Sequence, residues 1–261
     1  GGGGGGGGSP RETINPSTPK LLFCLKKVEP EDYKDVPKDY DARKVIDTLS
    51  GTAYNGKFEE QRGETIFHGY PADDKSSVFR PQQDMIRSEF FKIAYYATCI
   101  ADTLIKEDRL DTNSAGFEDV PSDYWARTII DVLANVEILD KVRTIQGLRL
   151  AFNEPLRSIT RAEAMKIFVE IYLTAQNEKL PAFSPAKNTF SDVNAGDWFA
   201  PYVQYGQKLG ISQGFKNLDF AGTNFFDPNS FIKREEAAIW LYQFFITMEG
   251  KTIEEKRGVE R

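Results

Sequence analysis

The sequence predicts a mainly all-α fold in which three helix-loop-helix units pack as a pseudo-threefold trimer. Three observations predict it: a pattern that returns three times along the chain, a proline at a fixed distance before an arginine in each copy, and an apolar stripe of helical period after each arginine. The composition agrees, because 261 residues with 40% hydrophobic and 13% aromatic content can bury a sizeable core.

One sequence pattern returns three times. It reads aromatic residue, any residue, Asp and Val, and it ends at an arginine that opens a helix. The copies begin at 33–36, 117–120 and 190–193, and their arginines are Arg87, Arg161 and Arg234. The arginine follows the aspartate by 52 residues in the first copy and by 42 in the other two. The first copy therefore carries an insertion of ten residues, which we place between Gly51 and Pro71, where glycine and charge are dense.

A proline precedes each of these arginines by six residues. Proline fixes its own φ and moves the preceding residue away from helical geometry, so it suits an extended approach to a helix start. The three prolines are Pro81, Pro155 and Pro228. Their shared interval supports a helix that begins at each arginine.

Apolar residues follow each arginine at positions +3, +6, +7 and +10. This spacing lines one face of a helix, so it predicts a second helix with a buried stripe in each copy. The stripes are Phe90, Ile93, Ala94 and Ala97; Ala164, Ile167, Phe168 and Ile171; and Ala237, Trp240, Leu241 and Phe244. The same spacing predicts an upstream helix in the second copy, through Ile129, Val132, Leu133 and Val136. A helix pair of this size cannot bury its stripe alone, so we expect the three pairs to share one core.

The predicted organisation follows from these copies. The repeats span 33–101, 117–173 and 190–247, and polar connectors that contain proline or glycine separate them. We expect residues 1–32 to form a glycine-rich linker and N-terminal segment, and residues 248–261 to form a charged tail. The eight glycines at the start are either a flexible linker or an artificial addition.

Charge and hydropathy exclude several classes of partner. The net charge of −6 disfavours binding to nucleic acid, because neutralising a phosphate backbone needs a broad basic surface. No stretch approaches the roughly 18 apolar residues that would span a bilayer, so we expect no membrane span. The start lacks the basic and then apolar pattern of a signal peptide, so we expect a mature fragment.

Cys24 and Cys99 are the only cysteines. Two are too few for a disulfide scaffold, and their spacing does not suit a cysteine-based zinc site. They are either two buried thiols or a single bridge that pins the N-terminal segment to the first copy. The sequence leaves both alternatives open.

The repeated residues resemble the S-layer homology (SLH) motif of bacterial surface proteins. In the second copy the resemblance is carried by 117–120 (Phe-Glu-Asp-Val), 124–126 (Tyr-Trp-Ala) and 159–163 (Ile-Thr-Arg-Ala-Glu). The third copy contributes 190–193, 198–200 and 226–228, and the first contributes 33–36, 79–81 and 86–89. Each motif alone is only moderately specific, but three motifs in register over residues 33 to 247 are strong evidence for the resemblance.

This resemblance implies a pseudo-threefold trimer around a central three-helix bundle, with grooves between the copies. Such grooves bind secondary cell-wall polymers, often through a pyruvylated sugar. We therefore expect a noncatalytic, extracellular anchoring module that has no cofactor or metal and that binds an anionic cell-wall polysaccharide. The expected glycan-binding residues are Arg87, Arg161, Arg234, Trp125, Trp198, Asp119, Asp192, Gly214 and Phe215.

The arginines have two interpretations. An arginine fork meets the carboxylate of a pyruvate ketal with two parallel charge-assisted hydrogen bonds, and a helix N-terminus adds a favourable field for an anion. The alternative is structural, with each arginine paired to the aspartate of a repeat motif: Asp35, Asp119 or Asp192. Both roles can coexist.

The tryptophans are equally ambiguous. Trp125 and Trp198 each follow the motif valine by five residues, whereas the first copy has Asp41 there. A flat indole can stack on a sugar, but an aromatic residue in a helical repeat more often packs in the core, so we favour the core.

Local signals differ between the copies. Thr160 and Glu163 have the spacing of a capping box, but Ile86 and Lys233 replace the threonine in the first and third copies. The family's turn glycines remain as Gly69 and Gly214, while Gly147 stands in an altered context. We therefore expect the second and third copies to be the better candidates for ligand binding.

The sequence leaves two further functions as alternatives. A structural module with decayed grooves would self-associate in a surface lattice, and the altered helix starts favour it. A polysaccharide-active enzyme would need a positioned pair of carboxylates. The single histidine, His68, lies in the insertion, and we interpret it as a surface loop residue rather than a catalytic base.

Overall fold

The computed structural model describes residues 24–139, 143–145, 148–150, 153–187, 189–211, 215–216 and 224–248. These residues contain seven α-helices and eight short strands, and the protein is 42% helical. The predicted mainly helical class is confirmed.

The first segment (33–101) and its flanks hold three helices and two strand pairs. Their bounds are β1 (Leu25–Lys27), α1 (Arg43–Ser50), β2 (Thr52–Tyr54), a 3-10 turn (Glu59–Gln61), β3 (Tyr70–Pro71), β4 (Ser77–Val78), α2 (Arg87–Thr98) and α3 (Ile100–Lys106). The predicted insertion corresponds to β2 and the 3-10 turn, which the other segments do not have in their described residues.

The second segment (117–173) and the third segment (190–247) share a simpler order of helix, hairpin and helix. The second has α4 (Arg127–Asn135), β5 (Arg143–Ile145), β6 (Leu148–Leu150) and α5 (Arg161–Gln176). After a 3-10 turn (Pro185–Lys187), the third has α6 (Ala200–Lys208), β7 (Phe215–Lys216), β8 (Asn224–Phe225) and α7 (Arg234–Met248). Three of the helices begin at the predicted arginines, which confirms the predicted helix starts.

The described strands form two-stranded antiparallel sheets, and three of these are hairpins. β1 pairs with β2, and β3, β5 and β7 pair with β4, β6 and β8, with Tyr70 opposite Val78 and Phe215 opposite Phe225. Their strands have two or three residues, too few to show an alternating hydrophobic pattern, so the sequence analysis did not predict them.

The core is one hydrophobic cluster that joins all three segments. The predicted stripe residues of α2, α5 and α7 are all buried. α2 packs against both α5 and α7, and the rings of Phe168 and Phe244 meet edge to face with their centroids 5.0 Å apart. Truncating a buried ring of this kind typically costs about 3–5 kcal/mol, so these contacts contribute strongly to stability.

The helix starts differ as the sequence predicted. Thr160 and Glu163 form a complete capping box at α5. At α7 the Glu236 carboxylate accepts from the Lys233 amide at 2.8 Å, which is one half of such a box. At α2, Ile86 provides no side-chain cap.

Cys24 and Cys99 form a disulfide, with their Cα atoms 5.8 Å apart. Of the two alternatives left open, the bridge is therefore the observed one. Cys99 lies between α2 and α3 in the left-handed conformation, at φ 54°. The bridge fastens the start of β1 to the point where the chain passes from one helix to the next.

Replacing both cysteines by alanine should lower the free energy of unfolding by about 4 kcal/mol, because the bridge closes a loop of 75 residues in the unfolded chain. Thermal melts of the wild type and of the double variant, each with and without a reductant, measure this. The reductant should destabilise the wild type and leave the variant unchanged. Equal melting temperatures for the wild type and the double variant without reductant would contradict the prediction.

Candidate functional site

The aspartate of each repeat motif holds the end of its own hairpin. Asp35 accepts hydrogen bonds from the backbone amides of Phe79 and Arg80, at 2.7 and 2.6 Å. Asp119 accepts from Asn153 and Glu154, and Asp192 from Phe226 and Asp227, at 2.6 to 2.9 Å. The second residue of each pair has a positive φ: 57° at Arg80, 55° at Glu154 and 56° at Asp227. The carboxylate therefore stabilises a backbone turn that residues other than glycine rarely adopt.

Each arginine at a helix start crosses to a hairpin of another segment. The Nε atom of Arg87 donates to the carbonyl of Asn153 at 2.9 Å, that of Arg161 to Phe226 at 2.7 Å, and that of Arg234 to Phe79 at 2.8 Å. These carbonyls belong to the residues whose amides the aspartates hold. The contacts run from the first segment to the second, from the second to the third, and from the third back to the first.

A glutamate in the next segment faces each guanidinium. The ion pairs are Arg87–Glu163 at 3.8 Å, Arg161–Glu236 at 3.1 Å and Arg234–Glu89 at 3.4 Å. The arginines therefore form the ion pairs that the structural alternative expects, but their carboxylate partners in these pairs are glutamates rather than the motif aspartates. The reason is that the aspartates are occupied by backbone amides.

Burial sets the electrostatics of these pairs. Arg161 and Arg234 are only 2% and 3% exposed. Burial lowers the pKa of Arg161, against the opposing effect of Glu236, and burial raises the pKa of Glu236. The pair is thus held away from water, in surroundings where an unpaired charge would be costly.

The arginines also stack on aromatic rings. Arg234 lies 4.8 Å from the ring centroid of Phe79, and Arg161 lies 5.2 Å from that of Phe226. Arg87 has Asn153 where the other two have these phenylalanines, and 12% of its side chain is exposed. The seam at Arg87 is therefore packed differently from the other two.

A ring of backbone hydrogen bonds joins the residues two positions before the arginines. The Met85 amide donates to the carbonyl of Ile232, Ile232 donates to Ile159, and Ile159 donates to Met85, at 2.9, 3.1 and 2.9 Å. All three residues are fully buried. The ring therefore ties the three helix starts together in the interior.

Residues of all three segments wall one cavity of about 410 Å³. The first segment contributes the stretch from Ile66 to Tyr70 and part of α2, the second contributes Trp125, and the third contributes Arg234. Two predicted site residues, Arg234 and Trp125, are thus brought together, beside the predicted turn glycine Gly69. Arg87 and Arg161 do not line this cavity.

Arg234 is fixed in this wall by several partners. Its Nη1 donates to the hydroxyl of Tyr70 at 3.1 Å, and its Nη2 donates to the carbonyl of His68 at 2.9 Å. The Tyr70 hydroxyl in turn donates to Glu89. Burial raises the pKa of Tyr70 to about 12, so the phenol stays a hydrogen-bond donor at neutral pH. The guanidinium is therefore preorganised by groups that a bound ligand would not need to move.

Lys92 adds a second cation, which the sequence analysis did not identify. Its Nζ lies 3.3 Å from Glu64, which also lies 3.3 Å from the Nε2 of His68. Burial lowers the pKa of Lys92, and burial together with the charge of Lys92 lowers the pKa of His68. His68 is an exposed loop residue, as predicted, but it also borders the cavity. One sequence feature could have identified Lys92. A lysine follows the helix-start arginine by five residues in two of the three segments, as Lys92 and Lys166.

Both tryptophans are exposed, which corrects the interpretation that favoured the core. Trp125 and Trp198 expose 54% and 55% of their surface. Each lies two positions before the first residue of α4 or α6. An indole there presents its face to the solvent rather than to the helix bundle.

The cavity does not follow the predicted preference for the second and third copies, since its hairpin and helix belong to the first. The hairpin residues that would form the corresponding walls at Arg87 and Arg161 lie mostly outside the described residues. Gly214 and Gly147 lie outside them, and of Phe215 only the backbone is described. In the described part of the chain, no group of His, Cys, Asp or Glu side chains could hold a metal ion, and no helix is long and apolar enough to cross a bilayer.

Comparison with known proteins identifies the third segment. Residues 189–238 match the family model of the S-layer homology domain. The resemblance seen in the sequence is thereby confirmed for this segment, and the extension to three tandem copies stays a prediction.

Three relatives share part of the chain at 35% identity. They are exoglucanase XynX of Acetivibrio thermocellus over 124 residues, and, over 121 residues each, endo-1,4-beta-xylanase A of Thermoanaerobacterium saccharolyticum and amylopullulanase of Thermoanaerobacterium thermosulfurigenes. The matches cover 47%, 46% and 46% of this chain, but only 9%, 9% and 5% of those proteins. The chain thus spans less than a tenth of the length of the relatives it matches.

Replacing Asp119 by alanine should lower the free energy of unfolding by about 3 kcal/mol, because two charge-assisted hydrogen bonds to the backbone are lost. Denaturant unfolding measures this. The matched control is Asp123→Ala, at an exposed position two residues before Trp125, which should change stability by less than about 0.5 kcal/mol. Equal losses in the two variants would contradict the role assigned to Asp119.

Replacing Lys92 by methionine should raise the pKa of His68, which lies below its ordinary value near 6.5 in the wild type. The substitution removes a repelling charge and leaves Glu64 to favour the imidazolium. Because the chain has one histidine, an NMR titration follows it directly. Lys166→Met is the control and should leave the titration unchanged; an unchanged pKa in Lys92→Met would show that Lys92 does not act on the imidazole.

Proposed function

We propose that this chain is a noncatalytic module that attaches to the cell wall by binding an anionic wall polysaccharide in the cavity between the three segments. S-layer homology domains are cell-wall anchoring modules, and residues 189–238 match this family. The observation that carries the proposal is the convergence of an exposed indole and two cations, those of Trp125, Arg234 and Lys92, on one preformed cavity.

The cavity suits a sugar that carries a carboxylate, such as a pyruvate ketal. Lys92 has three N–H donors and one carboxylate partner, so it can donate to a ligand anion without leaving Glu64. Arg234, whose charge is partly offset by its ion pair with Glu89 in the same wall, adds hydrogen-bond donors from a fixed position in a site partly shielded from water. Trp125 offers a flat apolar surface for the face of the sugar ring.

We infer that the three segments are related by an approximate threefold rotation around α2, α5 and α7. The equivalent contacts of the three arginines, and the closed ring of Met85, Ile159 and Ile232, support this inference. Two further grooves of the same kind would then lie at the other seams. Several grooves on one polymer would raise avidity without any new contact.

The proposed place of action is the extracellular cell surface. The family match and the relatives indicate association with the cell surface or wall. The disulfide supports a location outside the cytosol, because disulfides persist in oxidising compartments. The relatives are named as polysaccharide-degrading enzymes, but the matched part is a small fraction of each. For this chain we propose attachment rather than hydrolysis.

A second candidate is a structural module that self-associates in a surface lattice. The observation that favours it is the use of the arginines in contacts between segments, which leaves Arg161 buried against Glu236. Glycan grooves at such seams would have lost their free cation. Light scattering after gel filtration distinguishes this candidate, since it requires concentration-dependent oligomers in the absence of any glycan.

Trp125→Ala should weaken cosedimentation with isolated cell-wall sacculi by about tenfold, because aromatic stacking on a ligand is worth roughly 1–1.5 kcal/mol. Because Trp125 is exposed, its replacement should not lower the stability of the protein. Replacing one of the arginines, by contrast, would leave a buried carboxylate unpaired. Leu156→Ala is the control, because Leu156 is also a large exposed apolar residue and does not line the cavity.

Equal sedimentation of Trp125→Ala, Leu156→Ala and wild type would remove the binding assignment. Thermal melts of all three proteins should coincide, so that any loss of binding is assigned to the site. Wild-type sedimentation with sacculi stripped of their secondary polymer should fall to background.

A further inference from the structure

A cluster of three titratable side chains lies at one edge of the groove, the cavity of about 410 Å³ that Trp125 and Arg234 line. Glu64 is at the centre of this cluster, because its Oε2 lies 3.3 Å from the Nε2 of His68 and 3.3 Å from the Nζ of Lys92. His68 and Lys92 both line the groove. One carboxylate is thus shared by the only histidine of the chain and by the lysine that has donors left for a ligand.

The imidazole of His68 can gain a proton without any movement of its neighbours. Its Nε2 has the Glu64 carboxylate as an acceptor, and its Nδ1 lies 3.1 Å from the hydroxyl oxygen of Thr65. The Thr65 hydroxyl donates to the carbonyl of Phe67 at 2.8 Å, so its oxygen is left to accept. Both nitrogens of an imidazolium would therefore have an acceptor. About half of the His68 side chain is exposed, so a proton can reach the ring from the solvent.

Two carboxylates favour the protonated form of His68. One is Glu64, and the other is Glu31, which accepts from the Gly69 amide at 3.0 Å and acts on His68 through its charge. Burial raises the pKa of Glu64, but the charge of Lys92 and the contact with His68 outweigh burial, so the pKa is lowered. Hydrogen bonds likewise outweigh burial at Glu31 and lower its pKa. Both carboxylates therefore stay ionised in the pH range where the imidazole titrates.

Two cations lie on the other side of this balance. Burial lowers the pKa of His68, and the charge of Lys92 on α2 lowers it further. Arg234 on α7 donates to the His68 carbonyl at 2.9 Å, but its charge is partly offset by Glu89 at 3.4 Å. His68 is therefore mostly neutral at pH 7 and gains its charge as the pH falls below its ordinary value of about 6.5.

We propose that His68 is an acid-sensitive switch in the groove, which strengthens the binding of an anionic wall glycan as the pH falls. This inference rests on the proposed function and adds its regulation. Protonation adds one positive charge to the wall of the groove. The imidazolium also attracts Glu64, so the carboxylate holds Lys92 less strongly and the lysine is freer to donate to the ligand. A ligand carboxylate with an ordinary pKa near 4 stays ionised in this range, so the attraction is not lost on its side.

The switch belongs to the first segment alone. His68 follows β2 and the 3-10 turn of the insertion, and the chain has no other histidine. Any groove at another seam would therefore bind without this dependence on pH. A module that uses several grooves would keep a constant part of its attachment and gain an added part in acid.

The test measures the affinity for isolated cell-wall sacculi at about pH 7.5 and about pH 5, at constant ionic strength. The wild type should bind about fivefold more tightly at the lower pH, because one charge is added near the bound anion. His68→Gln cannot be protonated and should lose this gain, so its pH dependence measures the background of the sacculi. His68→Lys carries a charge at both pH values and should bind at both about as tightly as the wild type does in acid.

Two glutamate variants test the role of the shared carboxylate. Glu64→Gln should bind more tightly than the wild type at about pH 7.5, because Lys92 is no longer held, and should gain less in acid, because the pKa of His68 falls further. Glu60→Gln, at an exposed position of the 3-10 turn, is the matched control and should retain the wild-type gain.

The outcomes separate this inference from the proposed function. Binding of the wild type with the same pH dependence as His68→Gln would overturn the switch and leave the proposed function standing. Absence of wild-type binding to sacculi at both pH values would overturn both. Thermal melts of each variant at both pH values should show folded protein, so that a lost gain is assigned to the imidazole.

Discussion

The crossing of each helix-start arginine to a hairpin of the next segment is the interaction on which the rest of the structure depends. The guanidinium group cannot easily exchange its partners, because it is largely buried and because each Nε already donates a hydrogen bond to a backbone carbonyl. The receiving carbonyl is positioned in turn by the motif aspartate, which holds the adjacent amides. A segment that lost its aspartate would therefore misplace the acceptor of another segment's arginine. In this way the local turn and the contact between segments become one cooperative unit.

The candidate site is a product of this arrangement. Arg234 reaches the first segment to satisfy a structural contact, and it thereby brings positive charge to the wall of a cavity beside Tyr70. The same side chain thus holds two segments together and faces the site. Lys92, which makes no contact between segments in its pair with Glu64, is the cation with donors left for a ligand. Under the proposed function, Arg234 supports the structure and Lys92 is available to a ligand, so the lysine and the indole are better targets for testing recognition than the arginine.

The first segment differs from the other two in ways that act on the same region. Its insertion forms β2 and the 3-10 turn, and the disulfide fastens β1, which pairs with β2, to the end of α2. The turn, the strand pair and the helix therefore form a rigid frame around the groove. A groove framed in this way would lose little conformational entropy on binding a ligand.

The sequence by itself determined the helices and their register. The helix starts at Arg87, Arg161 and Arg234, the buried stripes and the capping box at Thr160 are all local features with a period or a fixed spacing, and these survive folding because the backbone enforces them. Only the tertiary structure decided the partners. Asp119 binds amides 34 and 35 residues away instead of an arginine, Trp125 faces solvent instead of the core, and Cys24 meets Cys99 across 75 residues. Such pairings depend on how separate elements approach one another in space, and no spacing along the chain encodes that approach.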